Sequence, residues 1–183
     1  MFARTFYICF LLNLLLVFSV YAQGNISYLD SRYGFRELRF GSTINGNKSF
    51  VYDGAFGPQK NYIRKTDKLL VGEAKIDDIV YRTFQGKFIG VEIHTTVNNA
   101  NDLLTALAEL YGQPSKTIEL NALSGSKAFE WNGRKARIKA VCFPNPDSPG
   151  QGIMRVSIFS IALEQEAETV RNATKYRQLE KGL

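Results

Sequence analysis

Histidine and cysteine are scarce in this chain of 183 residues, which contains one histidine and two cysteines. A site that binds a metal through several histidines is therefore excluded, and His94 alone leaves few acid–base options near neutral pH. Gly-rich phosphate loops, G-x-S-x-G turns and spaced sets of metal ligands are also missing. The sequence thus offers no catalytic set, no cofactor motif and no metal site, and it predicts a protein that is not an enzyme.

The first residues of the chain predict export. Arg4 provides a basic start, an apolar stretch follows over Phe6–Phe18, and Val20 and Ala22 are small residues at the positions that a signal peptidase recognises. The apolar stretch is shorter than the about 20 residues that span a bilayer. Cleavage after Ala22 is therefore favoured over a retained membrane anchor. We expect residues 1–22 to be a signal peptide and the protein to be periplasmic or secreted.

Loss of the signal peptide would remove Cys9 and leave Cys142 as the single thiol. An intramolecular disulfide is then impossible, so the fold has to depend on its hydrophobic core. Secreted animal domains of this size often carry disulfides, and a disulfide-free exported chain favours a bacterial envelope. The net charge of +6 is modest, and the charges are interspersed rather than gathered on one tail. This pattern argues against nucleic acid as a partner.

Alternating apolar and polar residues predict a mostly antiparallel sheet. The clearest unit is a hairpin over residues 74–94, for which a three-residue loop, Gln85–Lys87, keeps charged residues off the apolar face. A loop of two residues would mix them, because a slip of one residue moves every side chain to the other face. The apolar face would hold Ile79, Tyr81, Thr83, Ile89, Val91 and Ile93. Further strands are predicted at 35–40, 50–52, 61–65 and 153–163, with little signal elsewhere in 42–57.

A second hairpin is predicted around Asn132-Gly133, a strong turn dipeptide. A two-residue loop at this point would pair Trp131 with Arg134. One face of the hairpin would then be buried and would hold Phe129, Trp131, Ala136, Ile138, Ala140 and Cys142. The opposite face would carry Glu130, Lys135, Arg137 and Lys139. The chemical contrast between the two faces is typical of a sheet with one side on the core.

Two helices complete the prediction. Residues 99–111 combine Asn99 or Asn101 as an N-terminal cap with a stop at Gly112 and Pro114. Their apolar stripe consists of Leu103, Leu104, Leu107, Leu110 and Tyr111. Residues 164–183 predict a C-terminal helix whose acidic start and basic end suit the helix dipole. Its apolar stripe is thin, so we expect it to lie lightly on the domain or to project.

These elements predict an α+β fold, with a mostly antiparallel sheet, one buried helix and a C-terminal helix. After the signal peptide, residues 23–34 are expected to be a polar leader. Residues 35–163 would form a single α+β domain, and residues 164–183 the C-terminal helix. The mature length suits one domain with one core.

The functional candidates are one histidine, one cysteine and a row of three basic residues. His94 falls on the face opposite Ile93, which favours a solvent-facing strand residue over a catalytic base. Cys142 alternates with the apolar residues of its strand, which favours an inert buried thiol over a nucleophile. Basic residues at alternate positions, Lys135, Arg137 and Lys139, could bind an anionic surface, although a solvated outer face is the favoured explanation.

Several ordered motifs resemble small exported proteins of bacterial envelopes, a largely uncharacterised group. The motifs are Gly34-Phe35-Arg36-Glu37-Leu38-Arg39-Phe40-Gly41, then Tyr81-Arg82-Thr83-Phe84-Gln85-Gly86-Lys87, then the leucine-rich helix ending in Tyr111-Gly112-Gln113-Pro114, and finally Trp131. The resemblance covers about residues 34–140. It implies an exported envelope domain and supplies no catalytic residues.

Together these observations predict an exported, non-enzymatic binding or structural protein of the bacterial envelope. Its partner would be another envelope protein or an anionic surface component. The alternative is an enzyme, hydrolase-like, with an unrecognised site near Cys142 or His94.

Overall fold

The computed structural model describes residues 25–44, 46–148 and 151–181, and it has the predicted α+β class. The predicted signal peptide, residues 1–22, lies outside the described residues. The helices of the described part are α1 (Ile26–Arg32), α2 (Ala100–Tyr111) and α3 (Ile161–Lys181). Its strands are β1 (Gly34–Phe35), β2 (Leu38–Arg39), β3 (Phe50–Phe56), β4 (Gln59–Arg64), β5 (Leu70–Val71), β6 (Ala74–Lys75), β7 (Asp78–Phe84), β8 (Lys87–Thr96), β9 (Lys116–Asn121), β10 (Ser126–Asn132), β11 (Ala136–Pro144) and β12 (Gly152–Ser160).

One antiparallel sheet of eight strands forms the centre of the fold, in the order β3-β4-β7-β8-β12-β11-β10-β9. The two short hairpins, β1-β2 and β5-β6, are separate from it. Neighbouring residues on a strand point to opposite faces, so the sheet has two chemically different sides. We name the side that carries Ile79, Val91 and Ile138 the covered face, and the other side the open face.

The covered face forms the hydrophobic core. Its central strands present fully buried side chains such as Ile93, Ile138 and Val156, which pack against Leu29 of α1 and Leu103 of α2. The indole Nε1 of Trp131 donates a 2.7 Å hydrogen bond to the carbonyl oxygen of Gly112, where α2 ends. The predicted buried helix is therefore confirmed, and its end is fixed to the sheet.

A buried polar cluster closes the same core from the side of the β1-β2 hairpin. The hydroxyl of Tyr81, a fully buried residue, donates a 2.7 Å hydrogen bond to Asp67 Oδ2, and Arg36 pairs with the other oxygen of that carboxylate. Burial and the neighbouring Asp67 charge raise the pKa of Tyr81 well above its ordinary value. Gly34 makes the hairpin possible, since a Cβ there would meet the carbonyl oxygen of Leu38.

The β7-β8 hairpin, predicted over residues 74–94, has the predicted residue pairs but a different loop and an added bulge. Its loop has two residues, Gln85 and Gly86, both with positive φ, which is the type I′ conformation. The prediction of a three-residue loop was therefore wrong. A β-bulge after Arg82 shifts the register, so Ile79 still faces Ile93 and Tyr81 faces Val91. The bulge also turns Ile89 away from that set and towards α3, where it is fully buried.

The second hairpin has a longer loop than predicted. Asn132 pairs with Arg137 and Trp131 with Ile138, so the predicted pairing of Trp131 with Arg134 was wrong. The error is four residues, and an even shift leaves each side chain on its own face. The predicted faces consequently survive on the strands, whereas Lys135 lies in the loop before β11.

Several boundaries also differ from the prediction. The expected polar leader, 23–34, contains helix α1, capped by Asn25 and held in the core by Leu29. Helix α3 begins at Ile161 rather than 164, directly after β12. Asn99 occupies the N-cap position of α2, but its side chain does not cap the helix.

Other differences concern exposure and extra strands. Leu110 is 45% exposed, because it lies beside the buried stripe of α2 rather than in it. Strand β3 is longer than the predicted 50–52. Strand β9 was not predicted, and almost all of its residues are exposed, so it has no buried apolar face that alternation could reveal. Of the predicted turn Asn45-Gly46, Asn45 lies outside the described residues.

Candidate functional site on the open face of the sheet

The open face is built by the same strands that bury the core. Along β12 the side chains alternate between buried Met154, Val156 and Ile158 and more exposed Ile153 and Arg155. Such alternation is what an antiparallel sheet with one solvated side requires. Only α3 packs on this face in the described structure, so most of the surface is available for contact.

Helix α3 covers one end of the open face. Ala167 is fully buried against Phe84 and Ile89, with Leu163 beside them. From residue 172 onwards the described side chains of the helix are exposed. The helix therefore docks through its first half, and its second half is exposed, whereas the thin apolar stripe had left open whether the helix would lie on the domain or project.

A row of ionisable side chains crosses three neighbouring strands of the open face. Asp78 on β7 pairs in register with His94 on β8, and His94 pairs with Arg155 on β12. Glu92 lies two residues before His94 on the same strand and therefore on the same face. Side chains directly opposite each other in a sheet are close enough to interact. The strand register thus brings acidic and basic side chains next to each other across the three strands.

His94 lies between two carboxylates. Its Nδ1 is 2.7 Å from Asp78 Oδ1, and its Nε2 is 3.5 Å from Glu92 Oε2. The Glu92 carboxylate and the Asp78 charge raise the pKa of His94 above its ordinary value of 6.5, although partial burial opposes this. The pKa of Glu92 is lowered by its contact with His94 and by the charges of Arg82 and Arg155. The arrangement therefore favours an imidazolium between two carboxylates.

Arg82 continues the chain of charges towards α3. Its Nη1 is 3.0 Å from Glu164 Oε1, and its Nε is 3.8 Å from Glu92 Oε1. Gly90 lies beneath this guanidinium, where a Cβ would come within 3.1 Å of Nη2 and 2.8 Å of Phe159 Cβ. Because Gly90 has no side chain, the Arg82 guanidinium has room above it to reach both Glu92 and Glu164. Through Glu164 it holds the first turn of α3.

The charged network is balanced within itself. Its acids are Asp78, Glu92 and Glu164, and its bases are Arg82, Arg155 and, when protonated, His94. Both ring nitrogens of His94 face carboxylates, although only Nδ1 forms a hydrogen bond, and Nε2 lies 3.5 Å from Glu92 Oε2. This part of the face holds the first turn of α3 through Arg82 and Glu164 and fixes the side chains around His94.

The other half of the open face, formed by β9 to β12, is less balanced. Arg137 and Lys139 lie on β11, and Lys139 faces Glu130, which in turn faces Lys116 of β9. Among the described residues, no carboxylate oxygen lies within 4.0 Å of a charged nitrogen of Arg137 or Lys139. The Nε of Arg137 is buried without a hydrogen-bond partner. This half therefore has an excess of positive charge.

Lys135, the third basic candidate, belongs to a different feature. It lies in the β10-β11 loop, whose backbone is fixed by Asp30 of α1. The Asp30 carboxylate accepts hydrogen bonds from the N–H groups of Arg134, Lys135 and Ala136, at 2.7, 2.7 and 3.1 Å. Partial burial favours the neutral acid, but these N–H groups lower the pKa of Asp30 below its ordinary value. The loop is thereby held in one conformation beside the strand.

Exposed apolar side chains adjoin the basic half. Phe143 on β11 faces Ile153 on β12, and they are 44% and 56% exposed. Cys142, next to Phe143, points to the covered face, where it is half-buried, and burial raises the pKa of its thiol. The preference for a buried thiol over a nucleophile agrees with this environment.

Some members of this surface were predictable from the sequence, and others were not. His94, Arg137 and Lys139 were placed on the correct face, because alternation along their strands was clear. Arg82 and Arg155 were missed, although each also alternates with apolar neighbours in sequence. The role of Glu164 in holding α3 could not be seen, since it depends on how the helix folds back over β7.

Further features of the described residues limit the kinds of site. No group of three or more His, Cys, Asp or Glu side chains there is arranged to hold a metal ion. No helix in that part of the chain combines the length and apolar character needed to cross a membrane. Surface hollows of about 320 and 410 Å³ lie at the edges of the sheet, beside Asp30 and beside Arg171.

Comparison of the chain with protein-family models, curated proteins and solved structures gives no match. The resemblance to exported envelope proteins therefore stays a prediction.

Proposed function

We propose that this chain is an exported, non-enzymatic binding protein of the bacterial envelope that docks a partner protein on the open face of its sheet. The observation that carries the proposal is the asymmetry of the sheet. Two helices close one face, whereas the other presents Phe143, Ile153 and Lys139 to the surroundings. The predicted signal peptide, residues 1–22, supports the location.

The composition of the open face favours a protein partner over a lipid surface. Binding to anionic lipids is favoured by basic residues of one sign near the membrane. Here Asp78, Glu92 and Glu130 are interspersed among the basic residues. A mixture of apolar, charged and polar side chains is usual for interfaces between proteins that also exist separately. We therefore favour protein–protein recognition.

A catalytic function near His94 or Cys142 is the alternative. The local chemistry supports it less. His94 is held between two carboxylates, and burial keeps the thiol of Cys142 protonated to a higher pH. Neither group has the environment of an activated base or nucleophile.

Position-resolved photocrosslinking in the producing cell tests the proposal. A photoreactive residue replaces Ser157, in the middle of the open face, and in a separate variant it replaces Leu123, which is 96% exposed in the β9-β10 loop. We expect a discrete crosslinked protein band from position 157 and none from position 123. Equal crosslinking from the two positions, or none from position 157, would contradict the proposal.

A further inference from the structure

The charges of the open face point to the chemistry of the proposed partner. The acids of the network are already paired, Asp78 with His94, and Glu164 with Arg82. Glu92 is shared between His94, Arg82 and Arg155. These carboxylates therefore have little attraction left for a basic partner.

The basic residues of the neighbouring half differ in this respect. Arg137, Lys139 and Lys116 form no ion pair within the described part of the chain, and Glu130 is the one carboxylate placed among them in the register. Arg82 and Arg155 on the same face do have acidic partners. The guanidinium of Arg137 is half-buried, and its Nε has no hydrogen-bond partner, as is also true of Arg82 Nε, but Arg137 lacks the acidic partners that Arg82 has in the described structure. A buried polar group of this kind gains when a ligand pairs with it.

We infer that this half of the open face, formed by Arg137, Lys139, Lys116 and the adjoining apolar pair Phe143 and Ile153, binds an acidic segment of the partner protein. The inference rests on the proposed function. Carboxylates of the segment would pair with the basic side chains, and an apolar residue would contact Phe143 and Ile153. Charge complementarity of this type gives specificity and speeds association.

The size of the surface restricts the segment. Four strands span about 14 Å between the outer two, and the seven residues from Arg137 to Phe143 span about 20 Å. The resulting area is on the order of 300 Å², well below the about 800 Å² per partner of a standard interface. The basic half therefore accommodates a segment of about seven extended residues, and any larger contact has to extend over the charged network.

Fluorescently labelled poly-L-glutamate serves as the probe of this chemistry. The double variant R137Q/K139Q is compared with K175Q/R177Q, which loses the same charge from the exposed second half of α3. At 50 mM salt we expect R137Q/K139Q to raise the Kd roughly three- to tenfold, which corresponds to about 0.7–1.4 kcal/mol for the loss of two exposed ion pairs. The control should change the Kd by less than twofold. Equal effects of the two variants, or none of either, would overturn the inference.

Two further measurements separate the possible outcomes. Vesicles that contain phosphatidylglycerol test the lipid alternative: if Arg137 and Lys139 are needed for vesicle binding but not for poly-L-glutamate binding, the partner class is wrong. The crosslink from position 157 is then measured in the R137Q/K139Q background. Its loss supports an acidic partner. A crosslink that persists at full strength leaves the proposed function standing and overturns the inference about charge.

Discussion

Replacement of Asp30 by asparagine tests how helix α1 is fixed to the sheet. The carboxylate accepts three backbone hydrogen bonds from the β10-β11 loop, at 2.7, 2.7 and 3.1 Å. An asparagine of the same shape keeps one acceptor oxygen but turns an NH₂ group towards the loop N–H groups. The variant D30N therefore loses the charge and places donors opposite donors.

The expected magnitude follows from this geometry. A hydrogen bond to a charged group contributes about 1.5–3 kcal/mol, but Asp30 is half-exposed and water replaces part of the loss. We therefore expect D30N to lower the free energy of unfolding by about 2 kcal/mol instead of by the sum of three bonds. For a domain of this size, 1 kcal/mol corresponds to about 2–4 °C in Tm, so thermal unfolding should shift downwards by about 4–8 °C. D53N, which removes an exposed carboxylate of β3, is the matched control and should shift Tm by less than about 2 °C.

Gly133 provides an independent check of the same contact. A Cβ at this position would lie 2.5 Å from Asp30 Oδ1 and 2.7 Å from the carbonyl oxygen of Ala136. The variant G133A should therefore destabilise the wild-type protein more than it destabilises D30A, in which the first clash is absent. Chemical denaturation of the four proteins measures the coupling. Additive effects within about 0.3 kcal/mol, or a D30N variant as stable as D53N, would refute this account of the loop.

Three other predictions follow from the buried and ionised groups. The pKa of His94 is raised and that of Glu92 is lowered, so their contact stabilises the fold fully between the ordinary values of 4.5 and 6.5 and weakens as the pH rises through the folded-state pKa of His94. Between pH 6 and pH 8 the wild-type protein should therefore lose up to about 1 kcal/mol more stability than H94Q loses. If the denaturation midpoints of the two proteins depend on pH with the same slope, this prediction is contradicted. Y81F should cost about 1–3 kcal/mol, because it leaves an oxygen of the buried Asp67 carboxylate without its donor; unfolding titrations that coincide with wild type would show that the bond contributes nothing. In a chain whose other cysteine is replaced by serine, Cys142 should react with a thiol reagent at least tenfold faster after unfolding than before, and equal rates would indicate an accessible thiol.

For strands with one buried side, the local pattern of apolar and polar residues was sufficient to assign each residue to the core or to the outer face. The assignment of Ile138 and Ala140 to the core, and of Arg137 and Lys139 to the outer face, needed only alternation along one strand, and an even error in register did not disturb it. Loop lengths were less predictable. The loop at Gln85-Gly86 has two residues, but the β-bulge after Arg82 places Ile79 opposite Ile93, as a three-residue loop would have done. Nothing in the sequence marked that bulge.

The charged network could be predicted only in part, because it depends on contacts between segments that are far apart in the sequence. His94 was recognised as a residue of the outer face, but its partners come from two other segments and were brought opposite it by the strand order. The polar stretch before residue 35 was expected to be a leader, because it is rich in Gly, Asn and Ser, but Leu29 within it is deeply buried. Its helix is stabilised by contacts with residues about 100 positions later, which local propensity does not contain.

The sequence by itself determined the class of the fold, the two chemical faces of the main strands, the buried leucine helix and the sparse supply of catalytic side chains. These properties depend on period and composition, which are local. The tertiary structure decided which face stays open, which acids neutralise which bases, and which basic residues are left without partners. Those properties depend on strand order and on where α3 folds back, because the free energy of an ion pair is set by the distance and burial of groups far apart in the chain.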